Sequence, residues 1–237
     1  MSTPAMGAST FLHDDWTTVK QAIVDERGFV DYRTLVADRA LFDRYIADLM
    51  ARSPDSHPAF FADRDAELAY WLNAYNAMTI YSVLDKGIDI DSVWGWTGTG
   101  VVFFAVRKIT LGGKQMTLKS LEDNIIRARY GDARIHAAIN CASFSCPPLP
   151  QEAFVAERLD EQLDGMVRRW IGLNEHLQVD AQRKVVKLNK IFQWFKEDFV
   201  AEKPSLIEWV NQFRDEPIPT SYKVEFLPYD KGLNRQQ

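Results

Sequence analysis

The segment from residue 63 to residue 86 constrains the fold of this chain more than any other part. It has the pattern of one long helix, with Gly87 placed to end it, because glycine adopts the left-handed conformation of a helix stop without steric cost. One wide face is mostly apolar and consists of Leu68, Trp71, Leu72, Tyr75, Thr79 and Val83. We therefore expect this helix in the protein interior, with the other elements packed around it.

Further helices are predicted on both sides of this central helix. Apolar residues at helical spacing, from Leu35 to Leu49, indicate an amphipathic helix that ends near Ser53-Pro54. A helix is expected at 118–130 and a long one after Pro150. Later in the chain, Ser205 and Glu208 form a capping box that begins a short helix.

Strands are predicted only after the central helix. Gly112-Gly113 suits a two-residue hairpin turn, since glycine tolerates positive φ, and residues 134–140 alternate between apolar and polar positions. The predicted strands are 101–104, 107–111, 114–118, 134–140, 177–179, 185–188 and 222–226. Because regular βαβα alternation is missing, we expect an α+β fold. In this fold the central helix is buried, and flanking helices pack on a mainly antiparallel sheet.

Length and charge restrict the classes of function. The 237 residues and the lack of any linker predict a single domain over residues 11–237, after a flexible tail at 1–10. The formal net charge is −5 without a basic cluster, which argues against nucleic acid as a partner. No apolar run is long enough to span a membrane. The expected partner is a small molecule or a peptide. The chain is expected to be cytoplasmic, or exported with its signal peptide missing from this sequence.

Residues 134–148 concentrate the groups most suited to chemistry. His136 is followed by the only two cysteines, Cys141 and Cys146, and by Asn140 and Ser145 as candidate ligand-binding groups. A thiol close to a histidine and to a helix N-terminus has a favoured thiolate, so either cysteine is a candidate nucleophile. Three alternatives remain open: the cysteines fill the core, they form a disulfide, or the histidine is structural. Three local ligands at most make a metal site the weaker interpretation, and no cofactor is predicted.

The central helix and the C-terminal segment supply further candidates. Asn73 and Asn76 lie on one helix face, and they either bind the backbone of a neighbouring loop or orient the Cys/His segment and a ligand. Glu67, earlier in the helix, is a candidate to orient the imidazole or else a solvated surface residue. Asp230 either orients the histidine or caps a turn.

Four ordered motifs between about residues 60 and 234 resemble the family called domain of unknown function 547. They are residues 69–77, residues 134–148 with both cysteines, residues 190–199 and residues 229–234. The last motif departs from the family, which usually has Trp-Ser where this chain has Lys231-Gly232. The resemblance assigns no activity. It implies kinship with papain-like and transglutaminase-like cysteine enzymes, although here His136 precedes both cysteines and the central helix carries none.

Three functions follow from these residues. The first is a cysteine-dependent hydrolase or acyl transferase, with Cys146 or Cys141 as nucleophile, His136 as general base, and Glu67 or Asp230 orienting the imidazole. In this hypothesis the helix asparagines, with backbone N–H groups, stabilise the oxyanion. The second is a non-catalytic ligand- or protein-binding domain that keeps the same polar pocket. The third is a redox-responsive protein that uses both thiols.

Overall fold

The computed structural model describes residues 10–95 and 99–236, and in them the chain is an α+β protein as predicted. The predicted tail, residues 1–10, lies outside the described residues except for Thr10. The helices are α1 Asp14–Ile23, α2 Tyr32–Ala37, α3 Ala40–Ala51, α4 Arg64–Lys86, α5 Leu118–Ser120, α6 Ala128–Tyr130, α7 Ile135–Ala138, α8 Leu159–Gly172, α9 Ile191–Trp194, α10 Lys196–Glu202 and α11 Leu206–Asn211. The strands are β1 Ile109–Leu111, β2 Lys114–Met116, β3 Leu177–Asp180, β4 Val185–Leu188 and β5 Lys223–Phe226.

Helix α4 is the buried central helix that the sequence predicts. Its N-terminus is capped by Asp63, whose side chain accepts a hydrogen bond from the backbone N–H of Ala66, and Gly87 follows its end with a φ of 101°. Almost every residue from Leu68 to Val83 is buried. Its main neighbours are helical: α3, the helical stretch 118–130 and the 3₁₀ turn Ala156–Arg158. Large side chains around it form one hydrophobic core, in which Trp16, Trp71, Trp170 and Trp209 are fully buried.

The strands form two small sheets at the periphery. β1 and β2 pair antiparallel as the predicted hairpin around Gly112-Gly113, with Ile109 opposite Met116. The second sheet has the order β3-β4-β5, in which β3 and β4 pair antiparallel and β4 and β5 pair parallel. The kinship with papain-like and transglutaminase-like architecture stays a prediction. None of the helices in the described ranges is long and apolar enough to cross a membrane.

Two predicted strands are helical in the structure. Residues Val102–Val106 form a π-helical turn, and residues 134–140 contain helix α7 instead of a strand. At the second site the side chain of Asp132 accepts a hydrogen bond from the N–H of Arg134, and its carbonyl accepts one from Ile135. These local bonds start a helical turn, which overrides the alternating pattern. As a consequence, the side chains of His136 and Ala137 are both buried, although the alternating pattern placed them on opposite faces of a strand.

Two smaller differences concern the helices. The early amphipathic helix is split into α2 and α3 at Asp38-Arg39, and α1 was not predicted at all. The helix expected soon after Pro150 begins only at Leu159, after a 3₁₀ turn. The helix dipole proposed to favour a thiolate at Cys146 is therefore not provided by the adjoining residues. Along 118–130, the π-helical stretch Leu121–Arg127 joins α5 to α6.

Replacing Trp71 with alanine tests whether α4 is the centre of the core. Trp71 is fully buried, so Trp71→Ala should lower the free energy of unfolding by about 3–5 kcal/mol through lost contacts and a residual cavity. The matched control is Trp194→Ala, because Trp194 is 42% exposed and should cost about 1 kcal/mol or less. Urea denaturation measures both values. Equal losses in the two variants would contradict the buried position of the helix.

Candidate functional site

A cleft of about 310 Å³ collects the candidate cysteines, the histidine and a set of aromatic side chains. Its walls come from α4, Trp94, the segment 99–105, the helical stretch 118–130, the segment 136–146, the α9 region and the C-terminal turn. The aromatic lining residues are Tyr75, Trp94, Phe104, Trp194, Phe195 and Tyr229. A cleft with mostly apolar walls and a few convergent polar groups is the usual form of a small-molecule site.

His136 is buried in the wall of this cleft and is held by a carboxylate. Its Nε2 lies 2.7 Å from Oδ2 of Asp198, and its ring stacks on Phe195 with centroids 4.3 Å apart. Burial lowers the pKa of His136 below its usual value, against the opposing hydrogen bond to Asp198. The ring is therefore neutral at neutral pH. Because the carboxylate can only accept, Nε2 carries the proton and Nδ1 remains as the acceptor.

Arg127 fixes the carboxylate that binds the histidine. Its Nε and Nη2 donate to the two oxygens of Asp198 at 2.7 and 2.9 Å, which is a bidentate pair. Burial would raise the pKa of Asp198, but the hydrogen bonds from His136 and Arg127 outweigh it and hold this pKa well below its usual range. Asp198 therefore stays ionised and keeps the imidazole in one orientation and one tautomer.

The two cysteines are joined by a disulfide, with Cα atoms 6.4 Å apart. The hydroxyl of Tyr229 lies 3.3 Å from Sγ of Cys141 and 3.2 Å from Sγ of Cys146. Cys146 is buried and its sulfur also accepts a hydrogen bond from the backbone N–H of Cys141 at 3.0 Å, whereas Cys141 is half-buried. Between them Ala142 has a φ of 60°, a conformation that costs energy for a residue with a Cβ atom.

The asparagines of the central helix bind backbone groups and do not line the cleft. Asn73 donates to the carbonyl of Phe154 at 2.8 Å and accepts from its N–H at 3.0 Å. Asn76 donates to the carbonyl of Ala138 at 2.9 Å and accepts from the N–H of Asn140 at 2.8 Å. Both amides are thus used at both ends, in the way that buried polar groups usually are.

Asn140 continues this amide network into the cysteine loop. Its side chain donates to the carbonyl of Pro147 at 2.9 Å and accepts from the N–H of Ala142 at 2.8 Å. The same oxygen accepts from the side chain of Asn234 at 3.0 Å, which ties the C-terminal turn to the loop. The three residues Asn76, Asn140 and Asn234 form the network that we call the amide network below.

The remaining predicted residues lie away from the cleft. Glu67 accepts a hydrogen bond from the hydroxyl of Tyr130 at 3.2 Å. Asp230 is exposed and its side chain accepts from the N–H of Gly232 at 2.8 Å, so it caps a turn. Ser145 accepts at its Oγ from the N–H of Asp230 at 2.9 Å. The carboxylate that orients His136 is thus Asp198 in the structure, and Glu67 and Asp230 contact other partners.

Three residues of the site were not singled out from the sequence: Asp198, Tyr229 and Glu122. Asp198 and Tyr229 stand inside motifs that carry the family resemblance, so the motifs themselves contained the signal. Glu122 gave none, because a glutamate on a helix is ordinarily solvated. Here it lines the cleft and accepts from the hydroxyl of Tyr75 at 3.1 Å. Among the described residues, no group of three or more potential ligands is placed to hold a metal ion.

Removing the amide of Asn76 tests the amide network. In Asn76→Ala, the carbonyl of Ala138 and the N–H of Asn140 lose their buried partner, and the free energy of unfolding should fall by about 2–4 kcal/mol. Asn124→Ala is the control, since Asn124 is exposed and bonds only to the side chain of Ser120; it should change by about 0.5 kcal/mol or less. Chemical denaturation measures both, and a loss in Asn76→Ala as small as in the control would show that the network is dispensable.

Comparison with known proteins gives one result. No curated protein and no solved structure matched the chain. Residues 60–171 match the family described as "Protein of unknown function, DUF547". This span contains the central helix, His136 and both cysteines, and so includes two of the four motifs that resemble that family; residues 190–199 and 229–234 lie outside it. Residues 60–171 therefore belong to the DUF547 family.

Proposed function

We propose that the cleft is the active site of a cysteine-dependent hydrolase or acyl transferase that works when the Cys141–Cys146 disulfide is reduced. One observation carries the proposal: a buried neutral histidine, oriented by an ionised aspartate at 2.7 Å, lines the same cleft as both cysteines. Nucleophile, base and orienting carboxylate are the three parts of a thiol-based catalytic site, and they are recognised by geometry and not by sequence order.

Cys146 is the preferred nucleophile. Its sulfur accepts a hydrogen bond from the backbone N–H of Cys141 and lies within hydrogen-bonding distance of the Tyr229 hydroxyl. Donors at these two positions favour a thiolate on Cys146. In the reduced protein, the thiol proton passes to Nδ1 of His136 and the sulfur attacks the substrate carbonyl. The leaving group takes that proton, and a thioester remains on Cys146. Water or an acceptor nucleophile then releases the acyl group and restores the thiol.

Asp198 acts as a positioning residue in this scheme. It does not touch the substrate, but it fixes the tautomer in which Nδ1 of His136 is the acceptor. Asn73 and Asn76, proposed above as oxyanion groups, have both ends of their amides occupied by backbone atoms. Backbone N–H groups of the cysteine loop are the donors that this scheme leaves for a developing oxyanion.

A second candidate is a non-catalytic binding domain, and the disulfide favours it. In the oxidised state neither sulfur is a nucleophile, while the aromatic cleft persists and suits a small ligand. The third hypothesis, a redox-responsive protein, uses the same disulfide. The reactivity of the reduced thiols separates the enzyme from both alternatives.

The test measures alkylation of the reduced protein by iodoacetamide, with each cysteine followed by mass spectrometry between pH 5 and pH 9. Cys146 should react fast near neutral pH, and His136→Asn should slow that reaction at pH 7 by about tenfold or more. Asp198→Asn should move the pH profile of Cys146 because it alters the imidazole that is proposed to accept the thiol proton. The same reduced protein should give a burst of p-nitrophenol from p-nitrophenyl acetate, as acyl-enzyme accumulates.

His57→Asn is the matched control, because His57 is exposed and bonds to Ser56 outside the cleft. It should leave the alkylation rate and the burst unchanged. Thermal unfolding of each variant shows whether a slow rate reflects lost folding. Thiols that react in the folded His136→Asn variant as fast as in the wild type would overturn the enzymatic proposal and favour the binding domain.

A further inference from the structure

Glu122 is a carboxylate in the cleft that the thiol chemistry does not use. Among the described residues, its side chain accepts a hydrogen bond from a neutral hydroxyl, that of Tyr75, at 3.1 Å. Its neighbour Asp123, by contrast, is bound by Lys119 at 2.6 Å and by Arg127 at 2.9 Å. In the described ranges Glu122 belongs to none of the salt bridges, and the two cations that act on it at longer range, Lys119 and Arg127, are both paired with Asp123.

Aromatic rings form another part of the wall of this cleft. The ring centroids of Trp94 and Trp194 lie 6.0 Å apart, and Tyr229 lies 4.7 Å from Trp194 and 6.2 Å from Trp94. The ammonium of Lys231 sits 4.6 Å from the centroid of Trp94, so this set of rings already holds one cation on a face. Aromatic faces attract cations through their quadrupoles, and several rings around one space are the usual means of binding organic ammonium groups.

Burial makes the charge on Glu122 sensitive to a cation placed beside it. It raises the pKa of Glu122 to about 7, which means that the carboxylate is costly to ionise by itself. The titratable and charged groups that face it come from α4, the helical stretch 118–130 and the C-terminal turn: Tyr75, Lys119, Asp123, Arg127 and Tyr229. A bound cation would favour the ionised carboxylate and form a charge-assisted hydrogen bond with it.

We propose that the cleft binds an amine-bearing substrate, with a protonated amine on an apolar body, in which Glu122 is the counter-ion and Trp94, Trp194 and Tyr229 form the aromatic wall. The inference rests on the proposed function in one respect, namely that the bound amine is a substrate of the reaction. Binding itself needs neither a free thiol nor His136. The affinity for the amine increases as the pH rises through the titration of Glu122, because the carboxylate must be ionised to pair with it.

The experiment compares 2-phenylethylamine with its neutral isostere 2-phenylethanol, by isothermal titration calorimetry on the oxidised protein. At pH 8 the amine is still protonated, since alkyl amines titrate near 10, and it should bind about tenfold or more tightly than the alcohol. At pH 5.5 this advantage should shrink, because Glu122 is protonated there. Glu122→Gln should remove the advantage at pH 8 and leave the affinity for the alcohol unchanged.

Two further variants make the result specific. Glu161→Gln has the same change of charge on an exposed residue of α8, and it should retain the wild-type affinities. Trp194→Ala removes a rim aromatic that is 42% exposed, and it should weaken amine binding several-fold without loss of folding.

Equal affinities for amine and alcohol in the wild type, unchanged amine binding in Glu122→Gln, or no binding of either probe at millimolar concentration would each overturn this inference. Because the oxidised protein is used, failure here leaves the thiol proposal standing. Failure of the thiol proposal, in turn, does not change the expected binding of the amine.

Discussion

The carboxamide of Asn76 holds the buried central helix and the cysteine loop together. It accepts from the N–H of Asn140 and donates to the carbonyl of Ala138, so it binds the backbone where α7 ends and the loop begins. Asn140 repeats this pattern within the loop, and Asn234 joins the C-terminal turn to it. These amides are buried and each one has its polar atoms satisfied, which makes the network rigid and costly to disturb. The network thereby joins the loop that carries both sulfurs to α4, to the end of α7 and to the C-terminal turn.

A second buried network orients His136 in the wall of the cleft. An isolated histidine in this position would simply be neutral and free to rotate. Arg127 binds Asp198, and Asp198 accepts a hydrogen bond from Nε2 of His136. The carboxylate that fixes the histidine tautomer is thus 62 residues away from the histidine in sequence. Charged groups this close to the interior are stable only when each has partners of good geometry. The arrangement leaves one nitrogen of the ring as a proton acceptor, which is the property that a general base requires.

The parts of the fold that the sequence predicted are those set by local chemistry. The central helix has a capping residue, a long apolar face and a glycine stop; the β1-β2 hairpin has a Gly-Gly turn; and Ser205 caps α11 through the N–H of Glu208. The strand predicted for residues 134–140 was wrong. The segment contains a buried helical turn, and residues on both of its faces contact the core. Periodicity over so few residues does not distinguish the two structures.

The site was predicted in part for a related reason. His136 and the cysteines share one short segment, so their presence in one cleft was expected from sequence. Asp198 has no predicted role, because nothing local distinguishes a carboxylate that reaches across the fold from one that is solvated. Glu67 and Asp230 were the predicted carboxylates, and both contact other partners. Asparagine is a poor helix former, so two of them on one face of a buried helix indicate a specific role. In the structure they bind the backbone of neighbouring loops, which was one of the two predicted alternatives.

The proposed function requires that His136 and a cysteine sulfur face the same space in the cleft, and cross-linking is the direct test of that arrangement. Reduced Cys141→Ser protein, which retains Cys146 as its single thiol, is treated with 1,3-dibromoacetone and its peptides are mapped by mass spectrometry. The reagent alkylates the thiolate first, and its second carbon then reacts with a nucleophile within reach. A cross-link between Cys146 and His136 is expected in the folded protein. A Cys146 that is alkylated without any link to His136 would contradict it.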